Sequence, residues 1–170
     1  MIELDTLENQ VKIIYLGIGS NLGNRINNIE KAKSLLLDEG IKFVSISSYY
    51  ETPSWPDPKK PKFINIVLKI KSLLKPIKLL NLCKSIESKL GRKKSPRNSP
   101  RECDIDIIDY EGLILKDKVN LPHNMMHKRN FVLFPLFEIE KEWFHPSKKT
   151  NIKKLILSLP SNDIRSIKQI

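Results

Sequence analysis

Long apolar runs are missing from this 170-residue chain. The longest stretch without a charge, residues 13–24, is broken by glycine, serine and asparagine and is too short to span a bilayer. Residues 1–10 are polar and acidic rather than basic then apolar, so no secretory leader is expected and the chain reads as cytoplasmic, with no membrane partner. Cysteine is scarce: Cys83 and Cys103 form no C-x-x-C pair, which argues for two buried free thiols and against a disulfide. There is no internal repeat and no low-complexity tract. Arginine is rare as well, six residues against 24 lysines within a net charge of +11. The lysines are spread over the whole chain, so the charge raises the local concentration of anions without by itself calling for nucleic acid.

The length suits one domain with a real core. Apolar periodicity places strands at residues 11–18, 43–50, 63–70 and 104–110, and helices at 25–39 and 76–90. In the first helix Ile26, Ile29, Ala32, Leu35 and Leu36 share a face that Gly40 terminates; the second begins at Pro76 and lines Leu79, Cys83, Ile86 and Leu90 along one side. Residues 51–62 hold four prolines and form an irregular loop. The order is β-α-β-β-α-β, an α+β, ferredoxin-like antiparallel sheet packed with helices. A short strand near residues 113–115 and helices within 131–140 and 152–159 are expected as C-terminal additions. Residues 1–10 are expected to form a polar extension, 11–160 a single domain and 161–170 a tail.

Pro100-Arg101-Glu102-Cys103-Asp104-Ile105-Asp106-Ile107-Ile108-Asp109 is the stretch richest in chemistry. Alternate residues of a strand share a face, so Asp104 and Asp106 project together, about 7 Å apart at Cα, while Ile105 and Ile107 turn into the core. Like charges so placed repel unless a cation holds them, and they suit one or two hard divalent ions. By the same parity Asp109 belongs on the opposite face and is structural. Just upstream, Arg92, Arg97 and Arg101, half of all the arginines, fall within ten residues. Where lysine is the default cation, arginine marks a need for its rigid fork on phosphate oxygens. Metal-binding acids beside a cationic loop are what a magnesium-polyphosphate substrate requires.

Phe63 and Asn65 lie on the strand face opposite Ile64, Ile66 and Leu68, where a ring beside an amide can sandwich and hydrogen-bond a heteroaromatic ligand. His123 and His127 have helical metal spacing, but Pro122 interrupts any helix there and no H-E-x-x-H glutamate stands between them, which excludes a zinc pair. Gly17-x-Gly19-x-x-Leu22-Gly23 misplaces the third glycine of a dinucleotide fingerprint, which excludes that fold. An RNA-binding sheet would show RNP-like aromatics on its central strands, and these are absent. A nucleotidyltransferase using D-x-D with Mg²⁺ is the remaining enzymatic alternative.

These motifs, in order, resemble the 6-hydroxymethyl-7,8-dihydropterin pyrophosphokinase family of folate biosynthesis: Gly19-Ser20-Asn21-Leu22-Gly23; Tyr50-x-Thr52-Pro53 with Pro61-x-Phe63-x-Asn65; Glu87 with Gly91-Arg92; Pro100-Arg101-x-x-Asp104-x-Asp106-Ile107; Leu121-Pro122-His123; and Arg129-x-Phe131-Val132-Leu133-x-Pro135-Leu136. The resemblance implies pyrophosphoryl transfer from ATP to the pterin hydroxymethyl group, with Asp104 and Asp106 holding two Mg²⁺ ions. It implies Glu87, Arg92, Arg101, Ile107, Lys118, His123 and Arg129 around ATP, with Arg92 and Arg101 also catalytic. Thr52, Pro53, Trp55, Phe63, Asn65 and Phe131 would surround the pterin. The protein is expected to act as a monomer on these two substrates, without nucleic acid. The sequence departs from the family's pattern at Asn98, where the cationic loop commonly carries tryptophan, at Ser54-Trp55-Pro56, and at Asn124.

Overall fold

The computed structural model describes residues 10–96 and 98–170. Its centre is an antiparallel sheet built on three strands, β1 (Lys12–Ser20), β4 (Phe63–Ser72) and β5 (Asp104–Tyr110), with β1 in the middle. Between β1 and β4 run α1 (Arg25–Asp38), β2 (Lys42–Ile46) and β3 (Tyr50–Thr52), and α2 (Pro76–Lys89) links β4 to β5. Strands β2 and β3 both pair with β4, at its C-terminal and N-terminal halves respectively. The fold is thus mixed helix and antiparallel sheet.

The sequence suggests one strand over residues 43–50; the structure breaks it at residues 47–49 for a local reason. Ser47 Oγ accepts the Val67 amide at 2.9 Å, and Ser48 turns its amide and hydroxyl to the Glu138 carboxylate at 2.7–3.1 Å. Serine side chains here compete with the sheet ladder for backbone partners.

Both sheet faces are covered, so β1, β4 and β5 are buried on each side. On one face Ile14, Leu16, Ile18, Ile66 and Leu68 meet Ile29, Ala32 and Leu36 of α1 and Leu79, Cys83 and Ile86 of α2. Cys83 and Cys103 are free thiols buried in this core, each pushed up to about 12 chiefly by burial. On the other face Tyr15, Val67 and Ile108 pack under α3 (Asn130–Ile139) and α4 (Ile152–Leu157). Two small hairpins, β6 (Leu115–Lys116) with β7 (Asn120–Leu121) and β8 (Phe144–His145) with β9 (Thr150–Asn151), connect these parts. Residues 161–170 are more than a tail: they contain α5 (Ser161–Ser166) and β10 (Lys168–Gln169), which extends the sheet by pairing with β3. No helix among the described residues is long and apolar enough to cross a membrane.

One parity expectation fails. Tyr15 pairs with Asp109 but Leu16 pairs with Ile107, so Ile108 is an extra residue in β5. Such a bulge reverses the alternation beyond it. Asp109 therefore points to the α3 side, the side of Asp104 and Asp106, and not to the opposite face. It is nevertheless structural, buried and accepting Trp143 Nε1 at 2.9 Å and the Gly112 amide at 3.0 Å.

Candidate active site

The α3 layer leaves uncovered the end of the sheet where β1 finishes and β4 and β5 begin. Gly17, Gly19, Phe63, Asn65, Asp104 and Asp106 all present the same sheet face to this gap and line a cleft. Glycine in β1 keeps the floor low, for a methyl group on Gly19 would stand 2.4 Å from Asn65 Oδ1. Three segments wall the cleft: the proline-rich loop through Trp55, the basic loop through Asn98 and Arg101, and the segment leading into α3 through His123 and Arg129, with Phe131 in the first turn of α3.

The strand alternation expected from D-x-D is realised: Ile105 and Ile107 are in the core and both aspartates reach the cleft. Their surroundings differ. Asp104 takes Arg92 Nη1 on one oxygen and Arg101 Nη2 on the other, each at 2.6 Å. Burial works against its charge, yet the two guanidinium groups outweigh burial and hold it below the usual carboxylate range. Asp106 has looser partners, Arg129 Nη1 at 3.5 Å and His123 Nε2 at 3.8 Å. Burial, and then the neighbouring charge of Asp104, push Asp106 upward. Burial, with Arg129 adding to it, also lowers His123 against the pull of Asp106.

Two further cavities open beside Asp106. One is cationic, walled by Lys84, Arg92, Lys93, Lys94 and Arg101. The other is bordered by Leu80, Ile107, Lys118, Val119 and Asn120. Asp106 and His123 line all three spaces, which makes them the junction of the site.

Aromatic side chains carry cations at their faces. Arg129 lies 5.3 Å from the Trp55 ring and 5.5 Å from that of Phe131, and Arg101 lies 5.5 Å from Phe63. Thr52 is buried behind the cleft and reaches it through Asn65, whose Nδ2 is 3.4 Å from its Oγ1; Pro53 follows it, half-buried. Glu87, only 1 % exposed, lies beneath the cleft, where it accepts the Ile105 amide at 2.7 Å and pairs with Arg92 at 2.6 Å. It fixes the segment of β5 that separates the two aspartates. Arg97 lies outside the described residues. His127 packs edge-on to His145, 6.1 Å between ring centres, and does not line the cleft with His123.

Two participants escape a sequence reading. Asn21, legible only as a turn residue, ties both loops to the sheet. Its Oδ1 accepts the Arg101 amide at 2.8 Å, its amide donates to Arg101 O at 3.1 Å, and its Nδ2 donates to Pro61 O at 3.1 Å. Lys84 is the other; nothing local sets it apart from the remaining lysines.

Among the described residues no three His, Cys, Asp or Glu side chains are grouped so as to hold a metal ion by themselves. A cation here would take two carboxylates from the protein. That donor set fits Mg²⁺, which keeps several waters and completes its shell with substrate phosphates, and does not fit a closed structural site.

A profile of the 7,8-dihydro-6-hydroxymethylpterin-pyrophosphokinase family matches residues 15–141. The 2-amino-4-hydroxy-6-hydroxymethyldihydropteridine pyrophosphokinase of Aquifex aeolicus is 39 % identical over 142 residues, covering 83 % of this chain and 88 % of that protein. The folic acid synthesis protein fol1 of Schizosaccharomyces pombe is 38 % identical over 156 residues, which cover 91 % of this chain but 21 % of that much longer protein. In the crystal structure of Plasmodium falciparum HPPK-DHPS A437G/K540E with pterin and p-hydroxybenzoate, a similar fold covers 95 % of this chain and 48 % of that one, with a TM-score of 0.76 at 14 % identity.

Proposed function

The chain belongs to the 7,8-dihydro-6-hydroxymethylpterin-pyrophosphokinase family, and we propose that its cleft moves pyrophosphate from ATP to the hydroxymethyl group of 6-hydroxymethyl-7,8-dihydropterin. The products are AMP and the pterin diphosphate, a step of folate biosynthesis. The observation that carries this reading is the meeting of three spaces at one carboxylate and its histidine neighbour. An aromatic slot, a cationic trough and a partly apolar pocket all open onto Asp106 and His123. An acceptor ring, a polyphosphate and a nucleoside each need one of them.

In this reading Asn65 hydrogen-bonds the pterin edge, held by Thr52 and Pro53 behind it, while Phe63, Phe131 and Trp55 flank the ring. Ile107 and Lys118 border the nucleoside. Asp104 and Asp106 would hold two Mg²⁺ ions, whose chemistry would be to offset the charge of the polyphosphate. Arg92 and Arg101, each holding one oxygen of Asp104, exchange it for phosphate oxygens, which a guanidinium can take with two N–H groups at once. His123 and Arg129 stand at the junction, beside the phosphates and the reacting oxygen. The hydroxymethyl oxygen attacks the β-phosphorus in line and AMP leaves; the side chains contribute position and charge, and none needs to act as a strong general base. Glu87 acts from below, through Arg92 and β5.

The strand order β5-β1-β4-β3, with α1 and α2 on one face, supports a ferredoxin-like topology carrying C-terminal helices on the other face.

With ATP, Mg²⁺ and the reduced pterin, AMP and the pterin diphosphate should form in equal amounts. Release of pyrophosphate would mean nucleotidyl transfer and overturn the assignment. Gly19→Ala should raise the KM for the pterin about tenfold and also lower the thermal transition, because its methyl displaces the buried Asn65 amide from Thr52 and from the substrate, and a lost buried hydrogen bond is worth about 1–3 kcal/mol. Trp55, partly exposed at the cleft, and Trp143, in the second core, are the two tryptophans of the chain. Pterin binding should quench the Trp55 fluorescence, and Trp55→Phe should abolish that change while the Trp143 emission remains.

A further inference from the structure

Lys84, Glu87, Arg92 and Asp104 form a line of alternating charge that starts on a rigid helix and ends at the acidic pair. Lys84 Nζ sits 3.1 and 3.2 Å from the two oxygens of Glu87. Arg92 Nη1 is shared between Glu87 Oε2 and Asp104 Oδ1, at 2.6 Å from each. Glu87 is almost wholly buried, and its carboxyl is raised, first by burial, despite the Ile105 amide and both cations. The two cations differ in placement. Lys84 belongs to α2, whereas Arg92 lies beyond the end of that helix on the basic loop. If Arg92 turned to a phosphate with no other cation at hand, Glu87 would remain buried and unpaired, a strongly disfavoured state.

We propose that Lys84 is a positioning residue for nucleotide binding, the stationary cation that keeps Glu87 paired while Arg92 is handed from Glu87 and Asp104 to the nucleotide phosphates. This rests on the phosphate role given to Arg92 above. Lys84 acts through Glu87, not by touching the phosphates, although it lines the same cationic trough. Its place in the chain is consistent with that role: it lies one helical turn before Glu87, the spacing at which helix side chains meet.

The test is calorimetric titration of a non-hydrolysable ATP analogue with Mg²⁺ into wild type, Lys84→Met, Lys84→Arg, Glu87→Gln, the Lys84→Met/Glu87→Gln double variant and Arg92→Met, each checked for its thermal transition. Lys84→Met should weaken nucleotide binding about tenfold and raise the KM for ATP, with kcat at saturating ATP little changed. Lys84→Arg should restore binding. With Gln at position 87 there is no buried charge to hold, so Lys84→Met should then change affinity less than about twofold. An equal loss in both backgrounds would show direct phosphate contact and overturn the proposal, as would an unchanged affinity in Lys84→Met alone. Wild-type affinity in Arg92→Met would overturn the phosphate role of Arg92 and this proposal with it, a result separable from the Lys84 outcomes.

Discussion

Asp106→Asn is expected to lose turnover about a thousandfold or more, which is about 4 kcal/mol of barrier, and yet to melt no lower than wild type. The loss follows from removing one of the two carboxylates proposed to hold the metal on the polyphosphate. The gain in stability follows from the direction of its shift. Burial and the charge of Asp104 raise Asp106 above its ordinary range. Below that range the group is protonated in folded and unfolded chains alike and makes no difference. As pH rises through it, the unfolded chain releases the proton more readily and the folded state loses stability. Asparagine removes that loss at neutral pH. Asp104→Asn should be equally inactive but less stable, because Asp104 is held below its ordinary range, after burial is outweighed, by Arg101 and Arg92. Its contribution is present above the ordinary carboxylate range and fades as pH falls through the lowered value, so the Asp104→Asn deficit should shrink in acid. Rates of AMP formation beside thermal melting at two pH values measure both halves.

Arg101→Ala is expected to reduce kcat by about a hundredfold to a thousandfold, while pterin affinity changes by no more than about threefold. The guanidinium binds Asp104 Oδ2 at 2.6 Å and Ser99 O at 3.2 Å, and its Nε is buried without a hydrogen-bond partner among the described residues. It therefore has a donor in reserve for a phosphate oxygen. The loop should survive the change, since Asn21 holds the Arg101 backbone, not its side chain. Arg101→Lys should recover only part of the rate, because an ammonium group cannot bridge two oxygens in the plane of a fork. Single-turnover rates and equilibrium pterin titrations separate the two effects.

The sheet was legible because its strands carry their own periodicity: Ile64, Ile66, Leu68 and Ile70 alternate with the cleft-facing Phe63 and Asn65, and Asp104–Tyr110 begins and ends where its apolar pattern does. What stayed hidden depends on distant partners. The bulge that turns Asp109 around exists only in the pairing of β5 with β1. The gap between β2 and β3 requires Glu138, ninety residues from Ser48. Strand β10 is two residues long and is defined by its neighbour β3 rather than by its composition. At the site, arginine and aspartate stood out by rarity and spacing. Lys84 is one lysine in 24, and its meaning comes from the buried Glu87 beneath it.

The most direct measurement of the central claim is a Mn²⁺ titration followed by electron paramagnetic resonance, with a non-hydrolysable ATP analogue present. The wild-type protein should bind Mn²⁺ with the nucleotide, and the Asp104→Asn/Asp106→Asn double variant, still folded, should leave the nucleotide-bound ion indistinguishable from that of free Mn²⁺-nucleotide. A double variant that retained the wild-type protein-bound signal would contradict the assignment of the metal to these two carboxylates.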